Sequence, residues 1–338
     1  MKKKAKYSVA VVGVGAVGLE MLRILRERHF PVSSLKVLAR SARQIEVDGI
    51  VYQVEQISAQ SFDGVDIALF AGTEGEKGAA VTFAPEAVER GAVVIDNGAD
   101  FRMDSDVPLI VPEVNPKDIK KYKKKGIIAN PNCSTIQMVA ALGPIHRVSK
   151  IKRIIVSTYQ AASGAGSKAV DELFSQTQDF LADRPIVAQA FSKRIAFNVI
   201  PQIGGFDEAG FTTEEWKMVK ETHKILHSDK IKISATTVRV PVKTGHCESV
   251  YIETKRSLGL DELKQVLASS PGIKVLDDID KTVYPLPVDA EGTDAVYVGR
   301  IRKDPYNDKG FWLWIVADNL RKGAATNAIQ IAELLIKR

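Results

Sequence analysis

Apolar positions along the chain fall into two textures. Up to about residue 130, short continuous apolar runs alternate with stretches of helical spacing. Residues 7–12 predict a buried strand, and Leu19, Leu22, Ile24 and Leu25 continue it as a helix to about Arg28. Residues 35–39, 67–70, 93–96 and 126–129 predict further strands, with a helix near 76–90. Such alternation predicts a parallel, doubly wound sheet. Beyond Asn130 the period changes. Residues 151–160, 231–240 and 248–254 alternate with period two, helices are predicted at 168–181 and 260–267, and 324–336 is an amphipathic helix. This texture predicts a second, α+β domain with a mixed or antiparallel sheet.

The first strand runs directly into Gly13-Val14-Gly15-Ala16-Val17-Gly18 and then the helix. Strand, G-x-G-x-x-G, helix is the Rossmann-like context in which glycines let the backbone approach a pyrophosphate at a helix N-terminus. A tight turn without ligand is the alternative. After the second strand stands Arg40-Ser41, where a site for NAD would carry an acidic residue. A cation and a hydroxyl there suit the 2′-phosphate of NADP; a plain surface arginine is the alternative. Ala71-Gly72-Thr73 follows another strand end, where ligands of open α/β sheets collect.

Composition excludes several classes. Of 338 residues, 45% are hydrophobic and 26% charged, as in ordinary globular proteins. Two cysteines cannot build a disulfide framework, so a reducing cytoplasm is expected. The apolar run after Lys2, Lys3 and Lys4 carries the glycine loop rather than a cleavage site, and no segment approaches the ~20 apolar residues of a membrane span. The net charge of +6 is concentrated in residues 117–125, where Tyr122 is the single aromatic, and this run predicts a solvated helix face rather than a nucleic-acid surface. Attraction for anionic small molecules is the milder reading. No metal-ligand cluster is visible.

The densest chemical signal is Asn130-Pro131-Asn132-Cys133-Ser134-Thr135. A strand and a turn precede it and a helix follows, so Cys133 falls at a helix N-terminus, where unpaired N–H groups and the dipole favour a thiolate. A thiol filling an apolar gap is the alternative, and polar neighbours argue against it. Among five histidines, His29, His146, His223 and His227 lie in charged, helix-like surroundings and are expected at the surface or at caps. His246 follows a glycine turn and opens a strand; neighbouring Cys247 then faces the other way and packs. Arg239 alternates with Val238 and Val240, which by itself indicates an edge or surface residue. A regular hairpin through residues 243–245 would put Arg239 and His246 on opposite faces, but Pro241 is expected to break the ladder there.

Taken together these residues resemble aspartate-β-semialdehyde dehydrogenase along essentially the whole chain. The matching segments are Asp96-Asn97 with Asp100-Phe101-Arg102-Met103-Asp104, Val111-Pro112-Glu113-Val114-Asn115, and Asn130 to Gln137. They continue through Thr158-Tyr159-Gln160 with Ser163-Gly164-Ala165-Gly166, Asn198-Val199-Ile200-Pro201, and Glu214-Glu215-Trp216-Lys217-Met218. Arg239-Val240-Pro241-Val242 with Gly245-His246, and Asp318-Asn319-Leu320-Arg321-Lys322-Gly323, complete the set. Two departures are visible. The glycine loop is one residue shorter than the family's Gly-Ala-Thr-Gly-x-Val-Gly, and Gly98-Ala99-Asp100 replaces a serine-containing pair before Phe-Arg-Met-Asp.

The resemblance implies an NADP-binding domain over residues 1–129, completed by a C-terminal helix at 319–338, and a catalytic and dimerisation domain over 130–318. It implies NADPH-dependent reduction of L-4-aspartyl phosphate to L-aspartate 4-semialdehyde and phosphate through a Cys133 thioester. This step belongs to the biosynthesis of lysine and diaminopimelate, threonine, methionine and isoleucine. His246 becomes the general acid/base and Gln160 an amide that orients substrate or stabilises the oxyanion. Arg239 becomes the bidentate partner of the substrate carboxylate; Arg102, Asn132 and Lys217 bind phosphate and Glu214 the substrate amine. Glu214 and Lys217 are otherwise an i,i+3 surface pair. Asn97, Ser163, Gly164 and Asn319 join the cofactor set. A homodimer or homotetramer is expected. N-acetyl-γ-glutamyl-phosphate reductase would carry Gly-Cys-Tyr-Pro-Thr at its nucleophile and glyceraldehyde-phosphate dehydrogenase Ser-Cys-Thr-Thr-Asn; neither is present. A non-catalytic nucleotide-binding relative is disfavoured by the joint presence of Cys133, Gln160, Arg239 and His246.

Overall fold

The structure, a computed structural model, describes residues 3–72 and 78–337. Its contacts divide the chain into two units: the chain up to Asn132 together with the chain from Ala324, and Cys133–Gly323.

In the first unit, β1 (Tyr7–Val12), α1 (Ala16–Glu27) and β2 (Val32–Ala39) are followed by β3 (Arg43–Val47) and β4 (Ile50–Gln56). β5 (Ile67–Phe70), α2 (Ala79–Glu89), β6 (Val93–Asp96) and β7 (Ile127–Ala129) complete the run. They form a seven-stranded sheet, β3-β4-β2-β1-β5-β6-β7, in which every pair is parallel except β3 with β4. β5, β6 and β7 are buried along their whole length, which is why they read as continuous apolar runs. The β3–β4 hairpin lies beyond the elements read from the pattern, because its side chains are mostly exposed. Its local signal is Asp48-Gly49, both at positive φ (50° and 75°), the conformation a two-residue hairpin turn requires. The basic run at 117–125 is a 3-10 turn that buries Ile119 and Tyr122. Part of the helix expected at 76–90 falls outside the described residues, as does Thr73.

The second unit opens on α3 (Cys133–Val148), then β8 (Ile151–Gln160), α4 (Ser167–Leu181), α5 (Thr213–Leu226), β9 (Lys232–Arg239) and β10 (His246–Thr254). It continues with α6 (Leu260–Ala268), β11 (Ile273–Val275), α7 (Pro287–Ala290), β12 (Val296–Asp304) and β13 (Asn307–Ala317). The six-stranded sheet is mixed, in the order β11-β12-β13-β10-β8-β9. α3 is buried on every side from Ser134 to His146 and packs on β8, β10 and β13 together with α5 and α6. The opposite face of the sheet carries half-exposed Ile155 and Tyr159, with Tyr159 against Trp314 and Tyr251 against Trp312. A bulge at Arg300, at φ 50°, breaks the period of β12 and hides it from pattern reading.

β9 and β10 form no hairpin, in keeping with Pro241 between them. β9 pairs in parallel with one side of β8, and β10 pairs antiparallel with the other. Residues 240–245 therefore cross the end of β8, which puts Arg239, Gln160 and His246 side by side on the helix-bearing face.

After a π turn at Arg321–Ala325 the chain returns to the first unit as α8 (Thr326–Ile336). Ala328, Ile329, Ile331 and Leu335 join the core of Val9, Leu22, Ile67 and Ile95.

Candidate active site and dinucleotide cleft

The glycine loop of the first unit is shaped for close backbone approach. Gly13 has φ 98°, and a Cβ on Gly18 would lie 1.9 Å from the Gly13 carbonyl oxygen, so no side chain fits where α1 meets the loop. A Cβ on Gly15 would meet nothing within 4 Å, leaving open space above the N-terminus of α1, which begins at Ala16 and Val17. The loop borders a cleft of about 420 Å³. Gly13, Gly15, Arg40, Arg43, Gly72 and Thr82 are among its walls. Arg40 and Ser41 are exposed at the end of β2, and the Arg43 guanidinium donates to the carbonyl and hydroxyl of Ser41. The expected Arg40 is therefore joined at this cleft by a second arginine that sequence reading missed, although it stands only three residues away. Length, an open helix N-terminus and paired cations suit a phosphorylated dinucleotide.

Arg102 is buried in the same unit, where Nε donates to the Asn130 carbonyl and Nη2 to the Asn97 carbonyl, each at 2.9 Å. Asn130 also donates to Asn97 Oδ1 (2.6 Å) and accepts from Asn327 of α8 (2.7 Å). These bonds fix the turn that ends in buried Asn132.

In the second unit Cys133 is the first residue of α3 and is partly exposed. Gly323 abuts it: a Cβ there would come within 3.0 Å of the Cys133 Cβ. Gln160, only 1% exposed, donates to Ser134 Oγ at 2.7 Å and toward Glu214 Oε1 at 3.3 Å. Glu214 is buried in the first turn of α5, 3.8 Å from Lys217 Nζ, so the pair is not the exposed one that i,i+3 spacing allows. A capping box at Thr212 and Glu215 sets the start of α5, and Glu215 also accepts from Thr237 N of β9.

Arg239 is buried rather than solvated. Its Nη1 donates to the Ala161 carbonyl at 2.7 Å, and Phe191 lies 6.0 Å from the guanidinium. Burial lowers its pKa, while Glu214 and Cys133 act on it in the opposite sense and hold the charge. A cavity of about 220 Å³ opens beside it, walled by Phe191, Ser192, Ile200 and Gly204. His246 is fully buried. Its Nδ1 accepts from Ala161 N at 3.1 Å, so the proton belongs on Nε2. Burial, then the Arg239 charge, pushes its pKa well below the usual imidazole value. Arg239 and His246 converge at Gly164, where a Cβ would lie 2.8 Å from Arg239 Nη1 and 3.1 Å from His246 Nε2. Ser163 and Asn319 bond to each other, and Asn319 Oδ1 accepts from Gly245 N at 2.9 Å. Cys247 faces away into a cluster with Ala290, Tyr297 and Val316, and burial pushes its thiol up to about 12. Of the other histidines, His146 is buried, not exposed, and accepts from Ile151 N. No group of side chains among the described residues could hold a metal ion, and no helix among them is long and apolar enough to cross a membrane.

The profile described as semialdehyde dehydrogenase, NAD binding domain, matches residues 8–122, and the one described as semialdehyde dehydrogenase, dimerisation domain, matches residues 142–322. The aspartate-semialdehyde dehydrogenase of Aquifex aeolicus is 52% identical over 98% of each chain. The crystal structure of aspartate semialdehyde dehydrogenase II from Vibrio cholerae complexed with ASA is 46% identical, covers 99% of each chain and superposes with a TM-score of 0.94. The structure of aspartate semialdehyde dehydrogenase with NADP from Candida albicans is 25% identical over 98% of each chain, with a TM-score of 0.73. This chain belongs to the aspartate-semialdehyde dehydrogenase family.

Proposed function

We propose that the chain catalyses the NADPH-dependent reduction of L-4-aspartyl phosphate to L-aspartate 4-semialdehyde and phosphate, and its reverse, through a thioester on Cys133. The reaction serves the biosynthesis of lysine and diaminopimelate, threonine, methionine and isoleucine. The observation that carries this reading is the placement of a helix-start thiol, the Arg239 guanidinium and the His246 ring in one unit, the last two meeting at Gly164.

Cys133 attacks the acyl carbon and phosphate leaves; Arg102, Asn132 and Lys217 are the residues assigned to phosphate. Arg239 grips the α-carboxylate and Glu214 the ammonium group, with Gln160 keeping Glu214 and Ser134 in register. The hydride is what bound NADPH supplies. As the acyl oxygen becomes negative, His246 Nε2–H shares its proton with it and keeps that proton when the thiolate departs. His246 thus works at one nitrogen, because Ala161 N–H occupies the other. For the cofactor, Gly13, Gly15, Ala16, Val17 and Gly18 would receive the pyrophosphate and Arg40, Ser41 and Arg43 the 2′-phosphate; Gly72 borders the same cleft and Ala71 precedes it in the chain. Asn97, Ser163 and Gly164 are assigned to the cofactor and Asn319 to its nicotinamide. The half-exposed aromatic face of the second sheet supports a homodimer or a dimer of dimers, and a chain with only two cysteines suits a cytoplasmic enzyme.

Initial rates of NADP reduction test the reading. Phosphate-dependent turnover of L-aspartate semialdehyde is expected, abolished by Cys133→Ser. Equal or faster turnover of N-acetyl-L-glutamate semialdehyde would overturn the substrate assignment.

A further inference from the structure

His246 and Glu248 stand two residues apart on β10 and share the face that packs on α3. Glu248 is 0% exposed, between Thr158 of β8 and Ile315 of β13. Gln137, equally buried, lies one turn along α3 from Cys133. Its Nε2 donates to the His246 carbonyl oxygen at 3.3 Å, and its amide reaches the Glu248 carboxyl. Yet Gln137 Oε1 and both Glu248 oxygens close no hydrogen bond.

The chemistry of the two groups explains the mismatch. One Gln137 N–H is committed to the His246 carbonyl oxygen, Gln137 Oε1 is left an acceptor without a donor, and a carboxylate has only acceptors to offer it. Buried acceptors that close no hydrogen bond in a dry interior are costly, and one proton on the acid supplies the donor that Gln137 Oε1 lacks. We propose that Glu248 is held as the neutral acid, donates its O–H to Gln137 Oε1, and is a positioning residue that locks the His246 strand to the helix carrying Cys133. Burial independently drives the Glu248 carboxyl well above the usual carboxylate range, with only the Gln137 amide opposing it. Cys247, the adjacent titratable group, faces the other side of the strand.

This proposal rests on the reading of Cys133 and His246 as the reacting groups, but its first readout does not. The infrared difference spectrum of the full-length enzyme against Glu248→Gln at pH 8 should contain a protonated-carboxyl band; an ionised carboxylate band in its place would overturn the proposal. Glu248→Gln, which retains a donor, should keep kcat within about twofold, whereas Glu248→Met should lose about tenfold or more in kcat with both KM values within about twofold. Equal damage from the two substitutions, or full kcat in Glu248→Met, would also overturn it. If Glu248→Met does not fold, the band and Glu248→Gln decide. An inactive wild type with the band present would refute the reaction and leave the neutral acid standing.

Discussion

At the residue scale, the proposed site assigns its two anion-binding tasks to different cations. Arg239 is buried, pinned by the Ala161 carbonyl and flanked by Glu214, as a planar fork for a carboxylate requires. Lys217 is less buried and offers a point charge. Arg239→Lys keeps the charge and loses the fork, so KM for semialdehyde should rise tenfold or more, roughly the 1.5–3 kcal/mol of a charge-assisted bond, with KM for phosphate nearly unchanged. Lys217→Met should show the reverse pattern, and identical kinetics in both variants would mean the pocket is divided differently. At the dinucleotide cleft, Arg40→Glu with Arg43→Glu should narrow or reverse the preference for NADPH over NADH by about one to two decades. An unmutated enzyme that uses both cofactors equally would contradict the assignment.

At the scale of elements, α3 joins the nucleophile at one end to a buried histidine at the other. Burial, helped by the Lys150 charge, lowers His146 to about 4, while its Nδ1 accepts from Ile151 N at the start of β8. Between that value and the unfolded pKa of about 6.5, the unfolded chain binds a proton that the folded chain refuses. The contribution is therefore complete above about pH 6.5 and lost as pH falls toward 4. Chemical denaturation at pH 5 and pH 7.5 should show a smaller drop in stability for His146→Gln than for wild type; an equal drop would show that His146 is not the group responsible. Nothing in the charged surroundings of His146 reveals that α3 is enclosed on every side. The same limit explains the other differences between pattern and structure. α1, β1, β5, β6 and β8 are legible because one face, or both, is uniformly apolar. β3, β4 and the outer half of β12 are exposed or bulged and carry no period. The crossover at 240–245 is a matter of strand order, which local pattern does not encode, and with it the convergence of Arg239 and His246. Gly323 beside Cys133 is likewise silent, since its reason is a neighbour distant in sequence.

At the scale of the whole molecule, the second sheet leaves an apolar, aromatic face only partly covered, with Ile155 40% and Tyr159 38% exposed. Such a face favours self-association. Light scattering at micromolar concentration should give a dimer or tetramer, and Ile155→Lys should shift it toward monomer; a monomeric wild type would remove the role given to this face. The account as a whole turns on one covalent bond, and mass spectrometry can look for it directly. The enzyme is mixed with L-aspartate semialdehyde and NADP without phosphate, quenched in acid and digested. The expected result is one aspartyl adduct per chain on the peptide containing Cys133, discharged when phosphate is added before the quench. An adduct on Cys247, or rapid phosphate-dependent turnover by Cys133→Ser, would contradict it.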